Sequence, residues 1–170
     1  MIKLEGEKIM LASKKKEILE ALKPIIEKAY PLMKQHDIKT ITAFYNGNCD
    51  DFCGADLSFE TNQGSHISEE LAATITNEIG EGVIAKFLVD HDPTGFNNLG
   101  ASGNFILNLT SDALNIQMES DRFISKGGRV VAANTVYVFN LSIPEDKMVD
   151  YLNGVDILPQ KKIKKPTAFK

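Results

Sequence analysis

Two short segments of this chain bring together residue types that could do chemistry. The first, NGNCDDFCG over residues 46–54, sets Cys49 and Cys53 four apart with Asp50 and Asp51 between them. Two thiolates can supply half of a tetrahedral zinc site, and two more ligands, such as His66 or His91, would have to complete it. The spacing is wider than a paired-cysteine knuckle and no second pair follows, so the cysteines read first as small fillers of a turn. The second segment, DHDPTG over 90–95, places Asp90, His91 and Asp92 side by side. The flanking carboxylates would raise the imidazole pKa so that it titrates near neutrality. Asp50, Asp51, His91 and Asp92 together could hold a divalent cation for a phosphohydrolase or nuclease. The competing reading of His91 is a helix C-terminus, where a cation complements the dipole. Nucleophilic catalysis finds no support, because Ser102 in GASGN lacks the strand-to-helix elbow that exposes a hydroxyl. GFNNLGASG likewise lacks the Lys-Ser/Thr pair of a phosphate loop and opens a strand, not a helix. No segment asks for a cofactor.

The elements that must position these residues belong to one chain of 170 residues, 43% hydrophobic, which suits a single folded domain with a sizeable core. The start MIKLEGEKIM lacks the apolar core of a secretory signal and no window reaches the roughly 18 apolar residues of a membrane span. A cytoplasmic protein with no membrane partner is the expectation. Net charge is −4, yet the charges are partitioned. Residues 37–123 hold fourteen acids against Lys39, Lys86 and Arg122, which leaves −11 in the middle of the chain. Such a field repels nucleic acid and favours cations or basic protein surfaces. The five lysines after residue 154, among them Lys161 to Lys165, are the one place where direct nucleic-acid binding could occur.

Ser13 precedes a stretch in which Ile18, Leu22, Ile25, Ile26, Ala29, Tyr30 and Met33 recur at helical spacing, and Pro24 and Pro31 inside it predict a kink or a break. IKTITAFYNG and GADLSFET read as two strands joined by a long loop, NGNCDDFC. Ser68 caps a second amphipathic pattern, Leu71, Ile75, Ile79, Val83, Phe87 and Leu88, read as one helix to about His91 with a bend at Gly80 and Gly82, a strand at 83–89 being the alternative. GNFILNLTSDALNIQMES alternates as a hairpin around Thr110-Ser111-Asp112, and RVVAANTVYVFNLSI adds a strand after Gly127-Gly128. Ser142 and Glu145 suggest a capping box around Pro144 that opens a short helix ending at Gly154. The order α-β-β-α-β-β-β-α predicts an α+β fold, an antiparallel sheet of about five strands covered by two amphipathic helices. The domain is expected over 1–154, with 155–170 as a basic, flexible tail.

FYNGNCDDFCGADLSFET and TGFNNLGASGNFILNLTSDALNIQMESDRF together resemble an uncharacterised bacterial domain family found in plasmid- and phage-associated genes. Its members carry a Phe-Asp-Gly-x-Gly-Asp-Ser-Gly turn between two strands. After a helix follows Gly-Trp-Glu-Asn-Asn-x-Gly-Ala-x-Gly, running into a hairpin that ends in Asn-Glu-Arg. The match falls on Tyr45, Gly47, Asp51 and Gly54, then on Gly95, Phe96, Asn97, Asn98, Gly100, Ala101 and Gly103, with Arg122 as the terminal arginine. Phe96 stands in place of tryptophan, and Cys49 and Cys53 have no counterpart. The resemblance implies no activity; its setting implies a small accessory or anti-defence protein of a mobile genetic element.

Glycines at 95, 100 and 103 would let the chain take positive φ and pass close to the NGNCDDFCG turn. Both loops would then share one edge of the sheet and present Asp50, Asp51, Asp56, Asp92, Asn97, Asn98, Gly100 and Gly103 to a partner. The leading expectation is a non-enzymatic interaction protein that offers an acidic face to a basic protein surface, possible as a nucleic-acid mimic only if the carboxylates gather on one side. A metal-dependent phosphohydrolase or nuclease is the alternative.

Overall fold

The computed structural model describes residues 12–48, 51–93 and 101–158. Helix α1 (Ala12–Gln35) leads into strands β1 (Ile38–Asn48) and β2 (Asp51–Thr61). Helices α2 (Glu69–Ile79) and α3 (Glu81–His91) follow, then β3 (Ala101–Leu109), β4 (Ala113–Lys126) and β5 (Arg129–Pro144). A 3-10 turn (Glu145–Lys147) and the short helix α4 (Met148–Leu152) come last among the described elements. The α+β class is as expected, with the strands forming one antiparallel sheet in the order β2-β1-β3-β4-β5.

Alternation decides what each strand buries. Ile41, Ala43 and Tyr45 of β1, Phe59 of β2, Phe105 and Leu107 of β3, Leu114, Ile116 and Met118 of β4, and Phe139, Leu141 and Ile143 of β5 all join one buried cluster. Ile18, Leu22, Ile25, Ile26 and Met33 of α1 close that cluster, with Ile75 and Ile79 of α2 and Ile84, Phe87 and Leu88 of α3. The helices therefore lie on one face of the sheet, and among the described residues no helix covers the other.

Several expectations are corrected. Helix α1 runs unbroken through Pro24 and Pro31, because both rings stand on its exposed side, where water can take the carbonyls that lose a partner. Ser13 lies inside this helix and not ahead of it. The single helix to His91 is two, since Gly80, at φ 90° and ψ 110°, ends α2 by donating to the Thr76 carbonyl. Its own carbonyl then accepts from Val83 and Ile84 to start α3. That turn resets the helical phase, so Ile84 packs inward and Val83 stands 39% exposed. The loop NGNCDDFC is instead mostly strand, for β1 and β2 pair as far as Asn48 opposite Asp51. No capping box forms: Ser142 lies within β5, and Glu145 takes its bonds from Tyr30 and Lys34. Packing also continues past 154, as Ile157 and Leu158 lie against the core and Asp156 pairs with Lys16 at 3.8 Å.

Other turns follow the local chemistry. Ser68 Oγ accepts from the Leu71 amide at 3.2 Å, and Thr110 Oγ1 accepts from the Asp112 and Ala113 amides. Gly127 and Gly128, both at positive φ, make the two-residue connection between β4 and β5.

Candidate functional site

Asp92 and Gly103 meet in a buried polar cluster. Asp92 closes α3, its amide donating to the Leu88 carbonyl at 2.9 Å. Its side chain points at the sheet, where Tyr45 of β1, Gly103 of β3 and Ser120 of β4 form one row by strand pairing. Tyr45 Oη donates to Asp92 Oδ2 at 2.6 Å, and Ser120 Oγ donates to the same oxygen at 3.0 Å. The Tyr45 hydroxyl passes over Gly103 and lies 3.4 Å from the Glu119 carbonyl. A Cβ on Gly103 would stand 2.6 Å from that hydroxyl and 2.1 Å from the Glu119 carbonyl oxygen. Close approach, and not positive φ, is therefore what requires glycine here.

The electrostatics suit an anchor. Burial first, and then the Asp92 carboxylate, push the Tyr45 pKa far above its ordinary value, so the phenol stays a donor. Asp92 is only 6% exposed. It is turned away from solvent, not presented on a surface as expected for a partner-binding residue. Gly103 is likewise buried beneath Tyr45. His91 differs too: its ring stacks on Phe87 with centroids 4.4 Å apart, and burial, then Lys14, lower its pKa against the opposing pull of Asp90 and Glu17. The neighbouring carboxylates do not win, because desolvation disfavours the imidazolium more than they favour it.

Asp50, Asn97, Asn98, Gly100 and Cys49 lie outside the described residues. Asp51 opens β2 opposite Asn48, and Cys53 sits where β2 carries one residue more than β1. Gly47 pairs with both Phe52 and Ala101, so the end of β1, the start of β2 and the start of β3 lie together. Among the described residues no group of three or more His, Cys, Asp or Glu side chains is placed to hold a metal ion.

Asp56 leads to a different site. It is exposed on the uncovered face of the sheet, opposite Phe44. Phe44 pairs with Asn104, Asn104 with Glu119, and Glu119 with Tyr137. One cross-strand row thus runs Asp56, Phe44, Asn104, Glu119, Tyr137 over all five strands, about 19 Å at the usual strand spacing. Phe44 is 52% and Tyr137 53% exposed. Beside this row, Asp121 accepts from Ser102 at 2.7 Å and from Thr135 at 2.9 Å. Further along, Lys39 and Glu60 border a shallow depression of about 250 Å³ floored by Thr40, Asn108 and Asn115.

The sequence reading missed Phe44, Asn104, Glu119 and Tyr137. A signal was present: Phe44 falls among Thr40, Thr42 and Asn46 on the polar side of β1, an aromatic ring on a face that alternation sends to water. The carboxylates of the middle of the chain do not gather on one side. Asp56, Glu60, Glu119 and Asp121 line the uncovered sheet face, whereas Glu69, Glu70, Glu78, Glu81 and Asp90 stand on α2 and α3 behind it. No described helix is long and apolar enough to cross a membrane. No family model, no curated protein and no solved structure matches the chain.

Proposed function

We propose that this chain is a non-enzymatic interaction protein that receives a basic protein surface on the uncovered face of its sheet, as an accessory of a mobile genetic element. The row Asp56, Phe44, Asn104, Glu119, Tyr137 carries this reading. An arginine or lysine laid over an exposed ring is attracted by its π face, and a carboxylate on the adjoining strand can take its N–H groups. Carboxylates stand beside both rings, Asp56 next to Phe44 and Glu119 next to Tyr137. Besides the charged Lys39, Glu60 and Asp121, the face carries Ser, Thr, Asn and Gln with Ile106, the composition of a wet, polar rim around aromatic anchors. A nucleic-acid mimic is not proposed, because its carboxylates would have to share one side. The setting in a mobile element rests on the family resemblance alone.

The test is affinity capture from a bacterial lysate with wild-type protein and with a Phe44→Ala/Tyr137→Ala double variant, bound proteins being identified by mass spectrometry. Partners rich in Lys and Arg should elute at about 1 M salt, where screening shortens to about 3 Å, and should be missing from the variant. Capture of the same proteins by both would defeat the reading, as would partners without a basic excess.

A further inference from the structure

We infer that the outer edge of β2 accepts an extended peptide as a sixth strand, with alternating basic and small aliphatic side chains. The inference rests on the proposal of a basic partner and names how that partner is held. β2 is an edge strand of the sheet. Sheet edges are normally blunted by lysine, proline or bulges. β5, the other edge, is interrupted twice, between Met118 and Glu119 and between Arg122 and Phe123 of its pairing with β4. β2 has neither lysine nor proline from Asp51 to Thr61, and its one irregularity lies at Cys53. At its far end the edge is occupied: Glu60 bridges to His66, the Thr61 amide donates to the Ser65 carbonyl, and His66 Nδ1 lies 3.3 Å from the Phe59 carbonyl. Between these limits, among the described residues, only β1 makes main-chain bonds to residues 54–58. Five residues of strand are about 17 Å of unpaired edge.

What lies beside that edge fixes the occupant. A groove of about 260 Å³ opens between β2 and the start of α3, lined by Gly54, Ala55 and Leu57 on one side and Glu81, Gly82 and Ile84 on the other. A Cβ built on Gly82 or Gly54 would meet nothing within 4 Å, so the space above both glycines is open. In an added strand, residues opposite Ala55 and Leu57 would point into this groove, where small aliphatic side chains fit. The residue between them would sit beside Asp56 on the uncovered face and extend the row of carboxylates and rings by one place. Glu60 stands on that same face and Glu81 lies in the groove, whose lining contains no lysine or arginine among the described residues. The complement is therefore a strand that reads basic on one side and aliphatic on the other, held by main-chain bonds along residues 54–58.

The probe is an acetylated, amidated peptide, Lys-Val-Lys-Val-Lys, titrated into 15N-labelled full-length protein. Amide shifts are expected at residues 54–58 and 81–85. They should vanish when the peptide's backbone amides are N-methylated, since that removes its strand hydrogen bonds without changing charge. Gly82→Leu fills the groove at a position with open space and ordinary φ, so binding should weaken about tenfold or more while Tm does not fall. Asp56→Lys should exchange the preference for Glu-Val-Glu-Val-Glu. No shift with the lysine peptide at millimolar concentration overturns the inference. Shifts confined to the Phe44–Tyr137 row overturn it too, yet leave the basic partner on the open face intact. A concentration-dependent dimer in sedimentation that Gly82→Leu abolishes would give the edge to a second copy and overturn the peptide.

Discussion

Gly103 is fixed by what passes over it. A methyl group there would press on the Tyr45 ring and on the Glu119 carbonyl oxygen, and neither can yield without disturbing the Asp92 anchor. Gly103→Ala should therefore cost stability at the upper end of about 1–3 kcal/mol, read from urea denaturation. A stability unchanged from wild type would return Gly103 to the surface role first expected of it. Tyr45→Phe, which leaves the Asp92 oxygen with one donor fewer, should cost about 1–3 kcal/mol in the same assay. His91 gives a prediction in pH. Its folded pKa lies below the unfolded value of 6.5, because burial and Lys14 oppose the charge. The unfolded chain thus binds the proton more readily. The stabilisation is fully present above pH about 6.5 and is lost as pH falls through the lower folded value. Tm should drop as pH falls below about 6.5, and His91→Gln should flatten that drop. At this scale the sequence offered identities but not orientation. Asp90, His91 and Asp92 are adjacent in the chain, yet one is exposed, one lies on Phe87 and one is sealed under the sheet.

Two glycines two residues apart have opposite duties at the scale of elements. Gly80 holds φ 90° at the joint of α2 and α3, a conformation that costs other residues on the order of 1–3 kcal/mol. Gly82 has ordinary φ and open space around its missing side chain, and sits in the first turn of α3. Gly80→Ala should lower stability by that amount, whereas Gly82→Ala should raise it by up to about 1 kcal/mol. Thermal melts of the two variants should move in opposite directions; movement in the same direction would refute the joint. Helical spacing located both helices, and Ser68 located a start. It could not locate the break, since the apolar spacing runs on from Ile79 to Val83 whatever φ and ψ Gly80 adopts. Pro24 and Pro31 erred the other way. Proline marks a lost hydrogen bond, but its side of the helix decides whether solvent replaces the bond.

For the whole molecule, charge partition along the chain did not become charge separation in space. The described acids of residues 37–123 stand on both sides of the sheet, so the field at the open face comes chiefly from Asp56, Glu60, Glu119 and Asp121, opposed by Lys39. Binding of a basic partner there should be steered by this modest field. Its association rate should fall as ionic strength rises from about 0.01 to 0.15 M, while dissociation, governed by the rings, changes less. Stopped-flow kinetics with Glu119→Gln should show a shallower salt dependence than wild type. An identical slope would remove Glu119 from the recognition surface.

The sequence by itself determined which side chains are inside. Alternation in the strands and spacing in the helices depend on neighbours a few residues apart, and they sufficed for the α+β class, for the five strands and for most of the core. Only the tertiary structure decided which residues stand together. Asp56, Phe44, Asn104, Glu119 and Tyr137 become one row through four strand registers, and Tyr45, Asp92, Gly103 and Ser120 become one cluster through three elements of the sheet and a helix end. Register arises from pairing between distant segments and from single extra residues such as Lys39, Cys53 and Val138, which no local period encodes.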